Sequence, residues 1–293
     1  MKNDFTADGK HALQRLENIT GEVCTEDALI RAEKMITIGG LAAGMAHEIN
    51  NPLASILQGL QVIEDRVAPG FPPNLEAATE CGISLENLNA YFERRRITRF
   101  LSAIKESAER AAVIVENMLS FSRKSGANFW PHDLGELWDK SLELAKNEYD
   151  LKKRYDFREI TIVREYAPDL PKVPCDAVKI QQVFLNLLKN SAQAMAHGRD
   201  KTRRPRIVLR TKKEADMARV ELQDNGPGMP ENILRRVFEP FFTTKEDGEG
   251  TGLGLSVSSF IITHDHGGSM EARSVPFEGA TFIIRLPLSL PRG

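Results

Sequence analysis

Asn186 and Asn190 stand four residues apart in QQVFLNLLKNSAQAM (181–195), so on a helix they share one face. Asparagine is a poor helix former, and two on one face call for a reason. A neutral carboxamide oxygen suits a magnesium shell already crowded with phosphate charge. Further on, DNGPGMP (224–230) follows a strand-like run. There Asp224 can accept a hydrogen bond from an exocyclic amine such as adenine N6, and Gly226 and Gly228 let backbone approach a flat ring. In FEPFFTTK (238–245), phenylalanines flank Pro240 like the hinge and latch of a lid, and Lys245 can reach a terminal phosphate as a point charge. In GEGTGLGLSV (248–257), Gly250, Gly252 and Gly254 alternate before an apolar helix, which turns backbone N–H groups toward an anion. Singly, the first three clusters also read as polar helix surface, a turn and a buried aromatic anchor. The fourth is neither a P-loop, since no lysine follows its last glycine, nor a dinucleotide fingerprint.

In this order and spacing the four clusters resemble the N, G1, F and G2 boxes of the ATP-binding domain shared by histidine kinases, gyrase-type topoisomerases, a chaperone class and mismatch-repair ATPases. The resemblance covers about residues 131–290. It implies that Asn190 coordinates Mg²⁺ and Asn186 supports the phosphates of ATP. It also implies that Asp224 reads adenine in a pocket lined by Gly226 and Gly228. Residues 229–249 would form the lid, and Gly250, Thr251, Gly252, Leu253, Gly254 and Leu255 would wrap the phosphates. His266-Gly267-Gly268 fits the same family. GMAHEINNPLA (44–54) resembles the H box of sensor histidine kinases, with His47, Glu48 and Asn51 in its HExxN pattern. The two resemblances together span about 31–290. They imply autophosphorylation of His47 and transfer to an aspartate on a response regulator receiver domain, with Asn51 positioning a water for dephosphorylation of that partner.

His47 has a physical case of its own. A neutral imidazole nitrogen is a nucleophile near pH 7. Glu48 can orient the ring proton and leave the other nitrogen free to attack a γ-phosphate. Asn51 lies one turn on. Pro52 has no N–H for the carbonyl of Glu48, so a bend is expected just after His47. Two rivals stay open: an enzyme acting mostly as phosphatase on the regulator, and a non-catalytic dimeric scaffold that binds nucleotide.

These residues need elements to hold them. From Ala28 to Val67 apolar and small residues recur in alternating steps of four and three, a heptad seam. Pro69, Gly70, Pro72 and Pro73 break it. Ser84 is placed to cap a second helix that can run unbroken through 85–125. Two seams joined by a breaker-rich loop predict an antiparallel hairpin, paired with a second copy into a four-helix bundle, hence a homodimer. After a linker near 126–131 the pattern mixes strands (159–166, 206–211, 218–223, 269–274, 280–286) with helices (176–196 and from 253). The fold class expected is α+β: a helical hairpin followed by a two-layer α/β sandwich ATPase domain of the Bergerat (GHKL-like) kind. The domains expected are an N-terminal segment 1–25, a dimerisation and phosphotransfer domain 26–125 and an ATP-binding domain 131–290.

Composition narrows the class. The 293 residues carry 39 basic against 41 acidic side chains, net −2, which argues against nucleic acid as a main partner. The longest apolar-leaning run, 35–46, falls short of the about 20 residues of a membrane span. No signal-peptide stretch opens the chain, so a cytoplasmic location is expected. Cys24, Cys81 and Cys175 show no metal-ligand spacing. The connection 68–83 and the helix before Ile97 are longer than a histidine-kinase hairpin usually has. An upstream sensor domain or protein is a possible source of the signal.

Overall fold

The computed structural model describes residues 48–120, 129–147, 156–197, 203–245 and 250–289. His47, the first half of the seam and segment 1–25 lie outside them. The described residues fall into two compact units, one within Thr37–Arg123 and the other within Lys124–Gly293.

The first unit is helical. A helix over 48–67 (α1) runs on through Pro52. The stretch expected as a loop instead holds α2, Pro72–Glu80, because two prolines occupy its first turn, where their missing N–H groups are not needed. Asn74, 8% exposed, donates to the Asp65 and Ala68 carbonyls, both at 2.8 Å, and so satisfies the open end of α1. Ser84 caps α3, Leu85–Arg94, accepting from the Asn87 N–H at 3.3 Å. The expected long second helix is interrupted: Arg96 takes a left-handed φ of 57°, and α4 begins afresh as Ile97–Ser120. Lys105 on α4 pairs with Glu64 on α1 at 3.1 Å. Leu60, Ala108 and Val115 are buried, whereas Ile49, Ile56 and Ile63, spaced by seven, stay 37%, 44% and 43% exposed.

The second unit is α+β. Strands β2 (Thr161–Tyr166), β4 (Arg206–Glu214), β5 (Met217–Asp224), β6 (Ser269–Val275) and β7 (Gly279–Pro287) form one sheet in the order β2-β4-β5-β7-β6. A small antiparallel pair joins β1 (Trp130–His132) to β3 (Val173–Cys175). Only β2 and β4 run parallel within the large sheet, so the chain between them must cross over. The crossover is α6, Ala177–His197. It packs on β5, with α5 (Leu134–Asn147) and α8 (Gly254–Phe260) against it. α7, Glu231–Leu234, is a single turn that follows β5 in the chain and touches β6. Trp138 of α5 stacks on Phe184 of α6 at 3.7 Å, and Ile180, Val183, Leu187 and Leu188 fill the same layer. The opposite face of the sheet is a lattice of ion pairs, including Arg285–Glu214 at 3.0 Å and Arg273–Glu271 at 2.6 Å.

His266 ties the end of one helix to the start of another. Its Nδ1 lies 2.8 Å from the Ile261 carbonyl, and its Nε2 accepts from the Asp176 N–H at 3.1 Å. That pattern requires the neutral ring. Burial holds its pKa below the ordinary 6.5. Below that value the unfolded chain takes a proton that the folded domain refuses, so stability falls as pH drops from about 6.5. His266→Gln will flatten this slope by close to one proton, read from denaturant midpoints between pH 7.5 and 5.5.

Candidate functional site

Strand alternation decides where Asp224 points. Along β5, Ala218, Val220, Leu222 and Asp224 face the helical layer, while Arg219, Glu221 and Gln223 face the ion-pair lattice. Asp224 is therefore 4% exposed, and its charge needs partners. Its Oδ1 accepts from the backbone N–H of Gly226 (2.9 Å) and Ala280 (3.2 Å), and its Oδ2 from Ser191 Oγ (2.8 Å). Burial raises its pKa above 3.8, and these three donors oppose the rise. The loop is folded tightly around it: a Cβ on Gly226 would stand 2.9 Å from Asp224 Oδ1, and one on Gly228, at φ 67°, would stand 2.1 Å from the Val275 carbonyl.

Helix α6 carries the second half. Asn190 donates to Asn186 Oδ1 at 3.3 Å, Asn186 donates to Ser258 Oγ at 2.9 Å, and Ser258 donates to the Gly254 carbonyl at 2.9 Å. Donors running one way leave the Asn190 oxygen at the open end. There it accepts from Lys245 Nζ at 3.2 Å, and the same ammonium is bonded to Gln193 Oε1. Ser191, next to Asn190 in sequence, links this amide row to Asp224.

The glycine loop closes the arrangement with protein neighbours. A Cβ on Gly254 would meet Asn186 Oδ1 at 2.3 Å, and one on Gly252, at φ 65°, would meet the Phe241 backbone at 2.4 Å. One on Gly250 would meet Thr243 Oγ1 at 2.8 Å and Lys245 Cδ at 2.9 Å. Thr251 Oγ1 accepts from the Leu253 N–H at 3.3 Å, Leu253 is fully buried and Leu255 half-buried. Phe241, itself at φ 63°, is 52% exposed, and the Arg236 guanidinium lies 4.3 Å from the Phe242 ring centre.

Thus Asn186, Asn190, Asp224, Gly226, Gly228, Lys245 and 250–255 all belong to one unit. Glu48 and Asn51 belong to the helical unit, both exposed on α1, where the Asn51 carbonyl accepts from Ser55 Oγ at 3.1 Å. The sequence reading passed over Ser191, Gln193 and the Ala280 N–H. Ser191 and Gln193 lie within one turn of Asn190 and were open to notice; Ala280 is brought in only by strand pairing. Two neutral amide oxygens, from Asn190 and Gln193, converge on one cation in this structure. Hard oxygen donors of that kind suit Mg²⁺. Among the described residues no group of three His, Cys, Asp or Glu side chains could hold a metal.

Residues 175–290 match the family model described as histidine kinase-, DNA gyrase B-, and HSP90-like ATPase. Over 281 residues the chain is 32% identical to the sensor kinase CckA of Brucella abortus (strain 2308), covering 92% of this chain and 26% of that protein. The chain therefore spans about a quarter of the length of this curated relative. The structure of full-length ShkA in complex with AMPPNP aligns at TM-score 0.62 and 20% identity, covering 87% of this chain and 47% of that one. That of histidine kinase ThkA in complex with response regulator protein TrrA aligns at TM-score 0.53 and 24% identity, covering 90% and 66%. These two structures share the fold.

Proposed function

Residues 175–290 are an ATPase domain of the histidine kinase, gyrase and HSP90 family, the chain is a relative of the sensor histidine kinases, and from that premise we propose that it is a histidine protein kinase core. ATP bound in the second unit phosphorylates His47, and the phosphoryl group passes to an aspartate on a response regulator. The observation that carries this reading is the row Asn186–Asn190–Lys245 on α6, joined by hydrogen bonds, with Ser191, the next residue after Asn190, bonded to Asp224 of β5. Such an arrangement offers an anionic acceptor at one end and a cation with amide oxygens at the other. That is the polarity of a purine with a polyphosphate tail. Magnesium, when bound, neutralises charge on the phosphates, and Asn190 would hold it. Lys245 supplies a second positive charge to the phosphates, and Asp224 orients the base.

We extend the reading to the rest of the chain. The division is an N-terminal segment 1–25, a dimerisation and phosphotransfer domain 26–125 and a catalytic domain 131–290. The exposed stripe of Ile49, Ile56 and Ile63, with Phe100 and Ile104 of α4 at 65% and 49%, supports a homodimer that covers it. Asn51, exposed and four residues beyond His47 in sequence, supports phosphatase activity on the regulator. The location proposed is the cytoplasm; no described helix is long and apolar enough to cross a membrane. With γ-labelled ATP the full chain will acquire an acid-labile, base-stable label, and His47→Gln will reduce it to background. Undiminished labelling of His47→Gln overturns the assignment.

A further inference from the structure

We infer that Gln193 is a positioning residue: with Asn190 it forms a two-carbonyl seat for the Lys245 ammonium, so that this lysine and a metal-bound nucleotide compete for the Asn190 oxygen. The inference rests on the proposed nucleotide site and adds a residue and a control to it. Gln193 stands three residues beyond Asn190, on the same side of α6. Both side-chain oxygens bond the one ammonium. Its arrival there is guided. The Lys245 N–H donates to Thr243 Oγ1 at 3.1 Å, which turns the chain, and the lysine stem passes Gly250 where a Cβ would stand 2.9 Å from Cδ. The Asn190 amide is itself fixed, because its N–H is committed to Asn186 and its oxygen points to the lysine.

Two like charges do not share the one neutral oxygen of Asn190. While the ammonium is seated, 241–245 is tethered to α6, and a divalent ion has to displace it. Once displaced, the ammonium is released toward the phosphates that arrive with the ion. The apparent affinity for metal–nucleotide is therefore the intrinsic affinity reduced by the seated fraction. Removing the Gln193 oxygen takes away a charge-assisted bond and raises the unseated fraction.

The test compares the full parent chain with Gln193→Ala in two measurements. The first is the Kd for AMPPNP in saturating Mg²⁺, expected to tighten about three- to tenfold in the variant. The second is acylation of Lys245 by an amine-reactive reagent without nucleotide, followed by mass spectrometry and expected to speed up several-fold. An unchanged or weaker Kd overturns the inference, and so does unchanged acylation. If the parent binds no AMPPNP, the functional reading fails, and acylation alone still decides whether Gln193 seats the lysine.

Discussion

Asp224→Asn will lower nucleotide affinity by about 100-fold or more while the domain stays folded. Three donors converge on the carboxylate, two on Oδ1 and one on Oδ2. An asparagine keeps its oxygen for the Gly226 and Ala280 N–H groups and turns its NH₂ toward Ser191, whose hydroxyl can accept instead of donate. The fold thus loses little. The site loses its acceptor, because a donor now faces the purine amine, and two opposed donors in a dry pocket leave both unpaired. A fluorescent ATP analogue titrated against both proteins measures the loss; equal affinities would remove Asp224 from purine recognition. Acid should imitate the substitution. Burial raises the carboxyl pKa, so binding weakens at a higher pH than an ordinary aspartate would dictate. The sign for folding is the reverse. A group that holds its proton more tightly when folded adds stability as pH falls through its raised pKa. Binding and stability contributions of this one residue therefore part company in acid, whereas His266 acts against the fold from about pH 6.5 downward.

Gly228→Ala will destabilise the second unit by about 3–5 kcal/mol. The left-handed φ of 67° alone costs an alanine roughly 1–2 kcal/mol. The larger part is contact: the new methyl would stand 2.1 Å from the Val275 carbonyl and 3.1 Å from that of Gly279, both backbone atoms in the β6–β7 hairpin. Relief requires the hairpin to move away, which also withdraws the Ala280 N–H from Asp224. Urea denaturation should show the loss, and nucleotide binding should weaken with it. Gly59 is the control. It lies in α1 with open space around its Cβ position, so Gly59→Ala will gain roughly 0.5–1 kcal/mol from helix propensity. A Gly228→Ala protein as stable as its parent would show that the loop and hairpin are not in contact.

Much of this was legible in the residues. The Asn186/Asn190 spacing fixes one helix face, and alternation over 218–223 places β5 and with it the inward aim of Asp224. The paired strands β4–β5 and β6–β7 were found because each is long enough to show a period of two. Strands β1 and β3 have three residues each and show no period. Helix α2 was hidden by its own start signal, since Pro72 and Pro73 read as breakers until their place in the first turn is known. The break at Arg95–Arg96 lies inside ERRR, a run whose side chains favour helix; its left-handed residue carries no glycine to advertise it. Gly226 and Gly228 were read as clearance for a flat ring, and Gly252 and Gly254 as backbone N–H groups turned to an anion. In the structure Gly228, Gly252 and Gly254 give clearance to Val275, Phe241 and Asn186, contacts between distant segments that no local pattern encodes.

The interruption at Arg96 also changes what the hairpin can transmit. A continuous helix is a rod, and torque applied at one end turns the other. Here the rod is cut between α3 and α4 by two residues outside helical geometry, one of them at φ 57°. The phase of α4 against α1 is set apart from that link, by the Lys105–Glu64 pair and the burial of Leu60. Whatever engages residues 72–94 therefore meets a joint ahead of α4 and not one unbroken shaft.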